Sequence, residues 1–137
     1  RRRCLVPADG WFEWTKEDGG KQPHWIHPLD GRPLALAGLW SSWSSTTGDA
    51  IESFTILTCE AADHLAGLHH RMPVLMAPED WEAWLDPHVG GEVARELVST
   101  DKVHSVALGI DHFSVARKVN SVANDGPNLI EPLANLG

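Results

Sequence analysis

The chain has 137 residues, a length that predicts one domain with a single hydrophobic core. Its 11 Lys and Arg against 19 Asp and Glu give a formal charge of -8, which excludes a protein that holds nucleic acid through a broad basic surface. The hydrophobic share of 42% and the charged share of 22% are ordinary for a folded domain, so disordered and coiled-coil classes are excluded as well.

The sequence opens on Arg1, inside a run at 1–7 that already has the pattern of a strand. An independent domain seldom begins in the middle of an element. We therefore expect residues 1–137 to form a single domain that is incomplete at its N-terminus.

Turn-forming residues divide the first half of the chain into short extended runs. The turns fall at 7–10, 17–20 and 29–33, and the strands are predicted at 11–14, 22–27, 34–40 and 53–59. The small polar stretch 41–49 is expected to be an exposed loop. An antiparallel or mixed sheet is therefore predicted.

Helices are predicted in the second half of the chain, at 60–68, 77–87 and 92–98. The second begins near Pro78 and ends at Pro87. Because Trp81, Trp84 and Leu85 recur at i, i+3 and i+4, we expect this helix to pack its aromatic face on the sheet. Extended segments at 103–108 and 113–122 and a turn at 124–127 follow.

The two cysteines, Cys4 and Cys59, lack the spacing of a zinc finger or a disulfide framework and fit a reducing compartment. We interpret both thiols as structural and buried. No apolar run reaches the length of a membrane span, and no secretory signal is recognisable. The expected location is the cytoplasm, or the nucleoid in a bacterium, with no membrane partner.

Glu13 is the first candidate catalytic group. In a strand its side chain lies on the face opposite Phe12 and Trp14, and large apolar neighbours tend to raise a carboxyl pKa. A carboxyl that is partly protonated near neutral pH can give a proton to a leaving oxygen or take one from a nucleophile. The alternative is a solvent-facing Glu on a strand.

The second candidate is the run of His69, His70 and Arg71. Adjacent His side chains are expected to point apart, so they would be a poor pair of ligands, and no metal site is predicted. One imidazole near Arg71 suits proton transfer beside a phosphate, because the planar guanidinium matches phosphate oxygens. A capping or buried structural His is the alternative.

Both clusters belong to a set of ordered blocks that resembles the SOS-response-associated peptidase (SRAP) family, the abasic-site-sensing proteins of bacteria and eukaryotes. The blocks lie at 3–14, 21–23, 37–40, 54–58, 69–74, 115–120 and 129–132. The resemblance covers essentially the whole chain. It implies an α+β fold with a mixed or antiparallel, barrel-like β core and a few short packed helices.

The resemblance also implies a sensor that forms a covalent thiazolidine crosslink with abasic sites in single-stranded DNA. In the family, the α-amine of an N-terminal cysteine condenses with the sugar aldehyde and the thiolate then closes the ring. The initiator methionine must first be removed from this cysteine. We expect the cysteine segment to lie upstream of Arg1, so that this chain alone is inactive.

The resemblance also implies roles for individual residues of this chain. Glu13 and His69 match the family's acid/base residues, and Arg71, Thr58 and Trp14 are the expected DNA-binding residues. No cofactor is implied. The expected partner is single-stranded DNA containing abasic sites, replication-fork proteins are a further candidate, and the protein is expected to be a monomer.

Two alternatives stay open. Glu13 and His69 could equally serve a thiol peptidase that cleaves its own N-terminus or other polypeptides. The second alternative is a domain that has lost its activity and binds either a partner or nothing.

Overall fold

The computed structural model describes residues 2–133, so Arg1 and residues 134–137 of the predicted domain lie outside it. The strands are β1 (Arg3–Ala8), β2 (Trp11–Glu17), β3 (Gly20–Pro28), β4 (Leu34–Ser44), β5 (Ala50–Ile56), β6 (Thr58–Glu60), β7 (Arg71–Pro73) and β8 (Ile110–Ser114). The helices are α1 (Trp81–Leu85), α2 (Gly91–Leu97) and α3 (Thr100–Ala107), with 3-10 turns at Pro78–Asp80, Arg117–Asn120 and Pro127–Ile130.

The strands form three antiparallel sheets, in the orders β1-β4-β5, β2-β3-β8 and β6-β7. Backbone hydrogen bonds attach the two-stranded sheet to the first one. The Ala37 N–H donates to the Val74 carbonyl at 2.9 Å, and the Val74 N–H donates to the Leu57 carbonyl at 2.8 Å. These bonds fix the β6-β7 end of the molecule beside β4.

One hydrophobic core receives side chains from both three-stranded sheets and from all three helices. Its members include Ile26, Leu36, Ala37, Leu75, Trp84, Ala94, Val103 and Ile110. Burying a large apolar side chain stabilises the fold by about 1.5–3 kcal/mol. The α+β prediction is confirmed, and every pairing between these strands is antiparallel.

Helix α1 confirms the helix predicted at 77–87, but its aromatic face is only partly buried. Trp84 is 2% exposed, and its Nε1–H donates to the Cys4 carbonyl at 2.8 Å. Trp81 is 36% exposed and Leu85 is 49% exposed, so the prediction that all three pack on the sheet was wrong for Leu85. With five residues, α1 is too short to bury a full stripe.

The helix predicted at 60–68 was wrong, because this segment is a series of turns. The Leu65 N–H donates to the Ala62 carbonyl at 2.8 Å, an i→i+3 bond, and the Ala66 N–H donates to the same carbonyl at 3.0 Å, so isolated turn bonds form without a continuous helical ladder. Ala62 and Leu65 are nonetheless buried, which explains the apolar periodicity.

Three other segments differ from their predictions. The segment predicted as extended at 103–108 lies in α3 as far as Ala107, because Val103 and Ala107, four residues apart, are fully buried from one helical face. Strand β4 continues to Ser44, into the predicted loop 41–49, because it pairs with β5. The extended segment at 113–122 ends at Ser114, and the run 53–59 is divided between β5 and β6.

No helix among residues 2–133 is long and apolar enough to cross a membrane.

Strand β2 carries Glu13, and Gly10 sets its position. A Cβ on residue 10 would lie 2.2 Å from the Ile26 carbonyl oxygen and 2.6 Å from the Trp25 ring, so only glycine lets β2 begin this close to β3. The register then places Glu13 opposite His24 and Trp11 opposite Ile26.

Candidate active site

A cleft of about 300 Å³ brings together four of the five predicted site residues. Its lining consists of Trp11, Glu13, Leu36, Ile56, Thr58, His69, Arg71, Met72 and Pro73. Two other clefts are larger, at about 400 and 580 Å³, but their linings contain no histidine. Of these three clefts, the smallest is the one that combines a carboxyl, an imidazole and a guanidinium.

Glu13 is half-buried on the face of β2 that it shares with Trp11. Burial raises the pKa of its carboxyl above the ordinary value, and the positive charges of His69 and then His70 oppose this shift by lowering it. The effect of burial is the larger one, as the flanking aromatic residues predicted. Glu13 thus has the environment of a proton donor instead of a solvent-facing strand residue.

His69 lies in the turn before β7, and a backbone contact fixes its ring. Its Nδ1 accepts the Arg71 N–H at 3.0 Å and lies 3.1 Å from the Arg71 carbonyl oxygen. A neutral ring that accepts at Nδ1 carries its proton on Nε2, whereas one that donates from Nδ1 to the Arg71 carbonyl leaves Nε2 free to accept a proton. Nε2 has no hydrogen-bond partner within residues 2–133, so it is the nitrogen available to a substrate.

The expectation that the side chains of His69 and His70 point apart was wrong, and the sequence reasoning gave His70 no role of its own. The rings of His69 and His70 do not point apart but stack, with centroids 4.5 Å apart and planes inclined by 24°. The backbone bends at this point, and the bond to the Arg71 amide turns the first ring back toward the second. Within residues 2–133, no three His, Cys, Asp or Glu side chains are arranged to hold a metal ion.

Thr58 and Arg71 form one unit across the β6-β7 sheet. Arg71 Nη2 donates to the Thr58 carbonyl oxygen at 2.7 Å and to its Oγ1 at 3.0 Å. The two bonds hold an exposed guanidinium at the mouth of the cleft. Thr58 therefore fixes the direction in which Arg71 presents its remaining N–H groups.

Trp14 is the one predicted site residue that lies outside the cleft. It occupies the opposite face of β2 from Glu13, and its Nε1–H donates to Asn120 Oδ1 at 2.7 Å. Asn120 Nδ2 in turn donates to the Lys21 carbonyl at 3.2 Å. This pair fastens the 3-10 turn after β8 to the first hairpin.

Trp11, which the sequence reasoning did not select, lines the cleft beside Glu13. The alternation of side chains along β2 could have found it, because residues i and i+2 share a face. The two cysteines do not line this cleft. Cys59 is 8% exposed and burial raises the pKa of its thiol, whereas Cys4 is only partly buried.

Comparisons with known proteins agree on one family. The chain matches the family model described as SOS response associated peptidase (SRAP) over residues 1–122. It is 36% identical over 131 residues to the abasic site processing protein YedK of Escherichia coli (strain K12), covering 96% of this chain and 58% of that protein. It is 33% identical over 153 residues to the abasic site processing protein HMCES of Gallus gallus, covering 96% of this chain and 44% of that one.

Solved structures extend the likeness to the fold. A crystal structure of a protein from Bacteroides thetaiotaomicron superposes with a TM-score of 0.78 at 27% sequence identity, covering 98% of this chain and 58% of that one. The chain thus spans about half the length of the curated relatives that it matches.

Proposed function

The chain belongs to the SOS response associated peptidase family, and from this premise we propose that the protein captures abasic sites in single-stranded DNA by forming a covalent crosslink with them. The observation that carries the proposal is the meeting of Glu13, His69 and Arg71 in one cleft. An acid, a base and an anion anchor are what such a condensation needs around its aldehyde.

The proposed chemistry requires two kinds of proton transfer. The α-amine of an N-terminal cysteine attacks the open-chain sugar aldehyde to give a carbinolamine, which loses water to form an imine. The cysteine sulfur then adds to the imine carbon, the nitrogen takes up a proton, and a thiazolidine ring results. The nucleophile in this scheme is the cysteine that the family resemblance implies, since neither Cys4 nor Cys59 lines the cleft.

Glu13 is suited to the acid steps. A carboxyl whose pKa is raised by burial can protonate the sugar ring oxygen as the ring opens and the hydroxyl that leaves as water. His69 Nε2 is suited to taking the proton from the attacking amine or thiol when Nδ1 carries the ring proton and donates it to the Arg71 carbonyl, because Nε2 then has a free lone pair. The roles are thereby divided between two groups that line the same cleft.

Arg71 is the proposed anchor for the DNA backbone. Its guanidinium is exposed, and Thr58 orients it. One oriented Arg positions a strand without the broad basic surface that a charge of -8 excludes. Because the crosslink is covalent, the protein also needs a lower equilibrium affinity for DNA.

The test incubates the protein, expressed from its complete gene, with an oligonucleotide carrying one abasic site. A covalent band on a denaturing gel is expected, and Glu13→Gln and His69→Ala should each slow its formation at least 10-fold. His88→Ala, which changes an exposed histidine outside the cleft, is the matched control and should react like the wild type. Undiminished crosslinking in both cleft variants, or no band at all, would contradict the proposal.

The thiol-peptidase alternative makes a different prediction for the same sample. It requires a released peptide, detectable by mass spectrometry, and no dependence on abasic DNA. Replication-fork partners, a cytoplasmic location, a monomeric state and the single domain 1–137 stay predictions.

A further inference from the structure

His70 has no role in the chemistry above, although its neighbours in the sequence, His69 and Arg71, both line the cleft. It is exposed, and neither of its ring nitrogens has a hydrogen-bond partner within residues 2–133. One face of its ring is covered by His69 at a centroid distance of 4.5 Å. Stacking therefore orients the imidazole and leaves its nitrogen-bearing edge available for a ligand.

The surroundings of His70 combine two basic residues with two carboxyls. His69 precedes it, Arg71 follows it at the start of β7, Glu60 is the β6 residue paired with Arg71, and Glu13 faces the cleft from β2. His70 is close enough to Glu13 for its positive charge to act on that carboxyl. Imidazole is the side chain whose charge changes between pH 5 and 8.

Arg71 by itself offers a limited contact to DNA. Its Nη2 is already used by the two bonds to Thr58, which leaves Nη1 and Nε for a phosphate. In a chain with a formal charge of -8, a second cation beside this guanidinium would be a substantial part of the local attraction for a phosphodiester backbone. A protonated His70 would supply that cation.

We propose that His70 is a DNA-binding residue whose imidazolium contacts the phosphate next to the one held by Arg71, so that the protein binds single-stranded DNA more tightly as the pH falls from 8 to 6. This inference rests on the proposed function and names a further residue of its DNA site.

The test uses the protein from its complete gene and a fluorescent oligonucleotide with a tetrahydrofuran abasic analogue, which has no aldehyde and binds reversibly. Anisotropy titrations at pH 6 and pH 8 over a range of salt concentrations give the affinity and its salt dependence. The wild type should bind several-fold more tightly at pH 6. The slope of log K against log salt should be steeper there by about 0.7, the value for one extra phosphate contact on a single strand.

Two variants isolate His70. His70→Asn should lose the extra slope at pH 6 and most of the pH dependence, whereas His70→Lys should keep the steeper slope at both pH values because its charge is permanent. His88→Asn should behave like the wild type. An unchanged slope and pH dependence in His70→Asn would overturn the inference.

Failure of the proposed function looks different. In that case the wild type would form no crosslink with the aldehyde-containing oligonucleotide, whatever the outcome of the titrations at His70.

Discussion

The bond between Thr58 and Arg71 allows a test of whether the direction of a guanidinium, and not only its charge, matters for DNA binding. Thr58→Val keeps the shape of the side chain and its preference for a strand but removes Oγ1. Arg71 Nη2 then loses its 3.0 Å bond and keeps the 2.7 Å bond to the Thr58 carbonyl. At an exposed site one such bond contributes about 1 kcal/mol, so the affinity for DNA should fall about 5-fold.

The assay is the anisotropy titration with the tetrahydrofuran oligonucleotide. Thr58→Val should lower the affinity without changing the salt dependence, because the positive charge remains. Arg71→Gln should instead reduce the slope of log K against log salt by about 0.7, since one phosphate contact is lost. Thr58→Ser keeps the hydroxyl and should bind within about 2-fold of the wild type.

The reasoning is refuted if Thr58→Val binds DNA as tightly as the wild type. It is also refuted if Thr58→Ser loses as much affinity as Thr58→Val, because the effect would then come from packing and not from the hydroxyl.

Three further predictions concern stability. Glu13→Gln should raise the free energy of unfolding at pH 7, because an acid with a raised folded pKa destabilises the fold above its unfolded value of 4.5. Urea unfolding near pH 4 should show no gain, and an equal gain at both pH values would contradict this. Burial lowers the pKa of His24 from 6.5, so stability should fall as the pH drops below 6.5. His24→Phe should flatten that fall in urea titrations at pH 7.5 and 5.5, and identical pH dependence in both proteins would count against it. Gly10→Ala places a Cβ 2.2 Å from the Ile26 carbonyl and should cost about 1–3 kcal/mol in thermal unfolding. Gly91→Ala, which meets open space, should cost nothing, and equal losses in both variants would refute the steric argument.

The strands of the first half were predictable because their signals are local. Turn residues separate them, and side-chain alternation along β2 assigns Glu13 to one face before any contact is known. Helix α3 was not predictable in this way. Val103 and Val106 have the branched side chains of strand residues, and the helix forms because tertiary packing buries Val103 and Ala107 completely.

In the candidate site, too, some features could be predicted from local sequence and others depend on tertiary contacts. Glu13 and His69 could be selected from residue type and neighbours, together with the family resemblance. The bonds from Arg71 to Thr58 depend on the β6-β7 pairing, which joins residues 13 positions apart through a segment of turns. The stacking of His70 on His69 follows from a backbone bend and one amide contact, and neither leaves a periodic signal in the sequence.

The place of His69 Nδ1 has a consequence for the barrier to reaction. Arg71 presents an N–H at 3.0 Å and a carbonyl oxygen at 3.1 Å to the same ring nitrogen. A neutral ring that acts as a base at Nε2 carries its proton on Nδ1 and donates it to the carbonyl oxygen, and the imidazolium keeps the same bond. The imidazole therefore keeps one orientation while Nε2 takes up and releases a proton. A base that need not turn between steps contributes little reorganisation energy to the transition state.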